Sequence, residues 1–453
     1  MRQAGARQQA GGQWILVIIL PPDLAEDEEA YRQMACEHFA GRCATHGLAP
    51  HFPSSLTTAV TLRRAPAHRG QIWAVAAAGG VVASGGDDGI VHTWCLSPSS
   101  DEPVALGGPA QGTQGHHNAN GMSGWLPGIR HPGKLSSLSL TPNGACLVTG
   151  CQNNPSARIW NASDVWADHS GFDAFQNAGY VHGLGVTGTR SVWLSEGPGL
   201  DKIAQGRVGR GGIDCPVFVT AGQEAGGALV LSVVHVDCTS SLLIILPDEE
   251  GDAPDEVCCL AAIDAAGGVG PLREVVIGTH RGWVYLVEVN IASMSEPPRL
   301  IRKVRHSDQA PVFAAAVGHR RFVSAGDDRA AGITVWGRLD DSAVPLFTSV
   351  RTEAPGKVWA LAISGHLLAS GGDALDTTGR NLVVHLWDCG LCPWVGNLQL
   401  LRVLESPCQS ARWGVRGVAI DDSETVVAGG DDGVLHVWRL ERIGRRDWEG
   451  PLY

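Results

Sequence analysis

The chain has 453 residues and a formal net charge of −12, with 18% charged residues. An acidic chain argues against nucleic acid or an anionic membrane as partner, and no apolar run of about 18 residues exists to span a bilayer. The length suits one large domain with a short extra segment, and 59 glycines point to many tight turns. Twelve cysteines are scattered, several in predicted core strands (Cys146, Cys258, Cys259), which is the usage of a reduced compartment.

Residues 1–13 are rich in Gly, Gln and Arg and are read as disordered. Trp14–Leu20 is an apolar run ahead of Pro21-Pro22. It is at the short limit for a signal peptide and lacks a clean cleavage site, so a strand or short docking segment is the preferred reading. Residues 23–40 read as a helix: Asp23 caps it, Glu26 to Glu29 favour its positive end, and Tyr31, Met34, Ala35, His38 and Phe39 share one face.

Residues 55–64 alternate in hydropathy and precede the first of a series of repeats. The clearest repeat is 426–438, Val-Val-Ala-Gly-Gly-Asp-Asp-Gly-Val-Leu-His-Val-Trp. Two alternating runs flank Asp-Gly, the strongest short hairpin signal. The same pattern stands at 82–94, and with insertions at 322–336 and 368–387. Trp336, Trp387 and Trp438 are 51 residues apart. Weaker copies lie at 147–160, at 217–232 with Ser or Leu where Trp would stand, and at 275–287 with Val287 there. An apolar strand precedes each copy, opening at Gly70, Gly133, Gly179, Glu256, Ala310, Gly356 and Gly414. A fourth strand fits each linker, so seven four-stranded sheets stack radially into a β-propeller. The strand at 55–64 then supplies the fourth strand of the last sheet and closes the ring.

These residues resemble the WD40-repeat family, whose signature is a His before the first strand, Ser or Thr in the second, Asp in the hairpin and Trp in the third. His68, Ser84, Asp88 and Trp94 match it, as do His306, Ser324, Asp328 and Trp336. Partial matches are His131, Thr149 and Trp160; Ser370, Asp373 and Trp387; and Asp432 and Trp438. The resemblance implies an all-β, seven-bladed propeller over 53–440, between a 1–52 tail holding the short helix and a 441–453 tail. It also implies that the signature residues form a buried, structural hydrogen-bond chain. A set repeated around a ring is structural, whereas catalytic sets occur once.

No phosphate loop, HExxH or GxSxG stands at the required place, and no catalytic residue, metal or cofactor is expected. Cys389-Gly-Leu-Cys392 is a lone pair without a second pair, and His116-His117 with His131 lack neighbouring ligands. Insertions at 107–130, 195–215 and 373–381 break the regularity. Trp73, Phe313, Trp359 and Arg416 occupy equivalent places at the tops of first strands. Aromatic residues and Arg there suit an interface; the alternative is that they turn into the core between blades.

The leading expectation is a scaffold in the cytoplasm or nucleus that binds proteins or peptides on a propeller face. The alternative is a substrate receptor of a cullin-type ubiquitin ligase. It rests on a likeness of Glu29–Phe39 to the closing helix of an F-box, and it would add a ligase adaptor to the partners. A propeller enzyme is the third reading.

Overall fold

The computed structural model describes residues 4–8, 14–18, 56–95, 104–105, 129–130, 133–144, 146–151, 154–161, 187–193, 217–223, 229–235, 241–246, 255–262, 272–291, 296–307, 310–318, 321–327, 332–337, 347–348, 357–364, 367–375, 381–388, 398–407, 414–421 and 425–442. Every regular element among them is a β-strand. The helix expected over 23–40 lies outside the described residues, as do His116, His117, His131, Asp328, Cys389 and Cys392.

Ala4–Gln8 pairs with Trp14–Ile18 in a two-stranded antiparallel hairpin. This corrects the expectation of disorder for residues 4–8; the rest of 1–13 lies outside the described residues. The apolar run from Trp14 leaves a row of backbone donors and acceptors, and the preceding segment satisfies them.

Among the described residues seven further sheets follow along the chain. Blade 1 holds Ile72–Ala78, Val81–Gly86 and Ile90–Cys95, edged by Val104–Ala105 and Ile129–Arg130. Blade 2 shows three strands among the described residues, Leu135–Leu140, Cys146–Cys151 and Asn154–Asn161. Blade 3 holds Thr187–Trp193, Val217–Gln223, Leu229–His235 and Ser241–Leu246. Blade 4 holds Val257–Ala262, Leu272–Thr279, Trp283–Asn290 and Arg299–Arg305. Blade 5 holds Val312–Gly318, Arg321–Gly326, Ile333–Gly337 and Phe347–Thr348. Blade 6 holds Val358–Ser364, Leu367–Leu375, Asn381–Asp388 and Gln399–Pro407. Blade 7 holds Val415–Asp421, Thr425–Gly430 and Val434–Arg442, and its fourth strand is Leu56–Pro66 from the other end of the chain.

The first strand of each blade packs against the first strand of the next, and that of blade 7 against blade 1. The ring therefore closes around a channel lined by first strands. The apolar cores lie between blades. Trp336 packs between blades 4 and 5, Trp387 between 5 and 6, Trp438 between 6 and 7, and Trp94 between 7 and 1. Truncating such a buried ring to Ala costs about 3–5 kcal/mol, so each Trp is a principal tie between neighbouring sheets.

Blade 3 departs from the sequence reading in two places. Its innermost strand is Thr187–Trp193, not a strand opening at Gly179. Its Trp position falls on Val234, which pairs with Phe218 as Trp336 pairs with Phe322. The Gly-rich run from Gly183 to Gly188 carries no alternation strong enough to place the strand, and only cross-strand pairing sets the register. In blade 4 Val287 takes the Trp position, fully buried and paired with Val275.

Candidate partner-binding site at the channel mouth

The first strands share a defect that one-dimensional reading does not reveal. In blade 1 the pairing jumps from Ile72↔Gly86 to Ala74↔Gly85, leaving Trp73 as an extra, unpaired residue. The same jump leaves out Phe313 in blade 5, Trp359 in blade 6, Arg416 in blade 7 and Cys258 in blade 4. Blade 2 shifts in the same place, at Ser136, and blade 3 within Gly188–Thr189. A bulge re-aims the side chain it carries. Here it turns Trp73, Ser136, Cys258, Phe313, Trp359 and Arg416, one from each of six blades, toward the channel.

In blades 1, 5, 6 and 7 a second-strand glycine opposite the bulge makes this geometry accessible. A Cβ on Gly372 would lie 1.9 Å from the Lys357 carbonyl oxygen, and one on Gly326 1.9 Å from that of Pro311. Backbone meets backbone there, so only Gly fits. The amide of the following Asp closes the contact: Asp87, Asp327, Asp373 and Asp431 donate from N–H to the carbonyls of Gln71, Pro311, Lys357 and Gly414.

All four sequence-selected residues line one cavity of about 760 Å³, and all are half-buried. Trp73, Phe313, Trp359 and Arg416 do not turn into the cores between blades. The Phe313 and Trp359 rings stack at 4.2 Å and 22°. The Arg416 guanidinium sits 4.3 Å from the Trp359 centroid and 5.7 Å from that of Trp73. Lys134 Nζ stands 5.9 Å from the Trp73 ring. The result is a continuous arc of rings and cations across blades 5, 6, 7, 1 and 2.

Carboxylates hold the arc in place. The Trp73 indole donates to Asp87 at 2.8 Å, and the Trp359 indole to Asp373 at 2.6 Å. Arg416 donates from Nε and Nη2 to both oxygens of Asp431, at 2.9 and 3.0 Å, and Nη1 lies 3.5 Å from Asp373. Ion pairs link neighbouring blades, Lys134 with Asp87 at 2.8 Å and Lys357 with Asp327 at 2.6 Å. Burial pushes the Asp87 carboxyl up, but the hydrogen bonds from Lys134 and Trp73 outweigh it and bring its pKa below the ordinary value. Sequence reasoning missed Asp87, Asp431, Lys134 and Lys357 as parts of this site. For Asp87 and Asp431 the signal was the doubled Asp of the turn, where one carboxylate alone was assigned a role, and for Lys134 and Lys357 it was the Gly-Lys that opens their first strands.

In blades 1 and 7 the two Asp of the pair do different work. The second one serves the signature chain. His68 Nδ1 lies 2.9 Å from Asp88 and Nε2 lies 2.7 Å from Ser84. In blade 5 Trp336 donates to Ser324 at 2.7 Å, and Ser324 lies 2.9 Å from His306. In blade 6 Trp387 donates to Ser370 at 2.8 Å. Asp373, read from sequence as the blade 6 signature Asp, instead holds Trp359 and so corresponds to Asp87. In blade 7 His436 replaces the missing His: it is fully buried, 3.0 Å from Asp432 and 2.7 Å from Ser406 of blade 6.

Burial pushes the Asp88 carboxyl up, yet the hydrogen bond and charge of His68 prevail and its pKa falls to about 2. Burial, then the charge of His68, lowers His92 to about 4. His68, Asp88 and His92 bring potential ligand atoms within 4.8 Å of one another. Both ring nitrogens of His68 are already engaged by Asp88 and Ser84, so the group is a structural tie rather than a prepared metal site.

Residues 399–439 match the family model "WD domain, G-beta repeat". No curated protein matches the chain. Among solved structures the fold is similar to the WD40 β-propeller domain of Doa1 (TM-score 0.53, 12% identity, 86% of this chain and 100% of that one). It is also similar to the RRP9 WD40 repeats (TM-score 0.52, 14% identity, 84% of this chain and 97% of that one). At these identities the likeness establishes the fold alone.

Proposed function

From the premise that the chain is a WD40-type β-propeller, we propose that it is a non-catalytic interaction platform that binds a partner protein or peptide at the channel mouth. The observation that carries this reading is the bulge column. Bulges in separate sheets bring Trp73, Phe313, Trp359 and Arg416 onto one cavity, with Trp73, Trp359 and Arg416 already oriented by carboxylates. Rings and guanidinium fixed before binding lose little ordering entropy, and these residue types concentrate interface energy. The propeller is taken to span 53–440 and to act in the cytoplasm or nucleus. No helix among the described residues is long and apolar enough to cross a membrane.

The test is affinity purification of the tagged chain from its own cells, with a Trp73→Ala/Trp359→Ala variant run alongside. Partners recovered by the parent and lost by a folded variant support the reading. Partners retained by the variant refute this site. Recovery of a ligase adaptor together with a cullin moves the ubiquitin-receptor alternative to first place.

A further inference from the structure

The arc at the mouth is incomplete, and the way it ends indicates what a guest would be. Each ring-and-carboxylate unit already holds a cation of the chain's own. Lys134 lies 5.9 Å from the Trp73 ring and 2.8 Å from Asp87. Arg416 lies 4.3 Å from the Trp359 ring and 3.5 Å from Asp373. Lys357 lies 5.7 Å from the Trp359 ring and 2.6 Å from Asp327. A ring face supplies quadrupole attraction and a carboxylate supplies charge, and each makes the other stronger where water is scarce.

Phe313 is the last ring of the stack. Trp359 covers one of its faces at 4.2 Å. On its other side the next blade carries Cys258 in place of an aromatic residue. Among the described residues no cation stands over Phe313. Glu256 and His280 are exposed and line the same cavity beside Cys258. The charge at the rim is also unbalanced. Among the described residues cited at the mouth, the carboxylates of Asp87, Asp327, Asp373, Asp431 and Glu256 outnumber the permanent cations Lys134, Lys357 and Arg416.

We propose that the blade 4 side of the mouth admits a Lys or Arg side chain of a partner peptide, seated between Phe313 and Cys258 with its charge toward Glu256. The inference rests on the partner-binding reading above and specifies its chemistry. The guest cation continues the series set by Lys134, Lys357 and Arg416. Cys258 serves by being small, and its thiol has no chemical part.

The test uses the full chain and fluorescence anisotropy with two sets of labelled peptides of equal length. They differ only in a central Lys or Arg against a central Glu. Binding of the basic set alone is expected. Cys258→Trp extends the ring stack into the seat and is expected to abolish binding. Should Cys258→Trp fail to fold, Glu256→Lys places the chain's own cation in the seat from an exposed position and is expected to weaken binding about tenfold or more. Preference for the acidic set, binding of neither set, or unchanged binding in Glu256→Lys overturns the proposal. Partners that are lost in the Trp73→Ala/Trp359→Ala variant but kept in Glu256→Lys would overturn it too, leaving the functional reading intact.

Discussion

Ala428→Ser should stabilise the protein. Trp438 is 1% exposed, and its indole N–H has no hydrogen-bond partner. In blades 5 and 6 the corresponding indoles donate to Ser324 at 2.7 Å and Ser370 at 2.8 Å. The register shows what blade 7 lacks. Ala428 pairs with His436 as Ser324 pairs with Thr334 and Ser370 with His385. Blade 7 thus carries a methyl group where its neighbours carry the acceptor. Leaving a buried donor unsatisfied costs about 1–3 kcal/mol, while a made hydrogen bond contributes about 1 kcal/mol net. The added hydroxyl also loses its own hydration, so a gain of about 1 kcal/mol is expected, roughly a fivefold shift in the unfolding equilibrium. The assay is urea unfolding followed by tryptophan fluorescence, in which the midpoint should rise with unchanged slope. Ser370→Ala is the reciprocal change and should lower the unfolding free energy by about 1–3 kcal/mol, and the midpoint with it. A midpoint for Ala428→Ser at or below that of the parent, with Ser370→Ala destabilising as expected, would refute the equivalence of the two positions.

Two acid-sensitive windows should separate. His92 has its folded pKa lowered from 6.5 to about 4, so the unfolded chain takes up the proton first and stability falls as pH drops from 6.5 toward 4. Asp88 is lowered from 3.8 to about 2, so its contribution is complete above pH 3.8 and is lost as pH falls toward 2. Thermal melts across pH should show His92→Gln flattening the upper window and Asp88→Asn the lower; a parent-like profile in either variant rejects that assignment. Deleting residues 55–64 removes most of the strand that pairs with Val434–Arg442. It should expose the blade 7 edge and lower the melting temperature, and a truncated chain that melts no lower than the parent would exclude a closing role.

The parts of this protein legible in sequence are those set by local chemistry. Period-2 alternation marks strands, Asp-Gly marks hairpins, and the recurring Trp marks where one sheet packs on the next. Those signals located the strands around Asp88, Asp432 and Trp336, and the column that contains Trp73 and Trp359. They faded in blade 3, where glycines around 183–188 erase the alternation and cross-strand register alone sets Thr187–Trp193.

Tertiary structure alone decided the rest. A bulge is a mismatch between two strands, so nothing in either strand announces that Trp73 or Arg416 will be left unpaired and turned to the channel. The pairing of Lys134 with Asp87 joins different blades, and the stack of Phe313 on Trp359 joins residues far apart in the chain. The division of labour between Asp87 and Asp88 is hidden for the same reason. Two adjacent, identical side chains point to opposite partners, and strand geometry decides which carboxylate meets the indole and which meets the histidine.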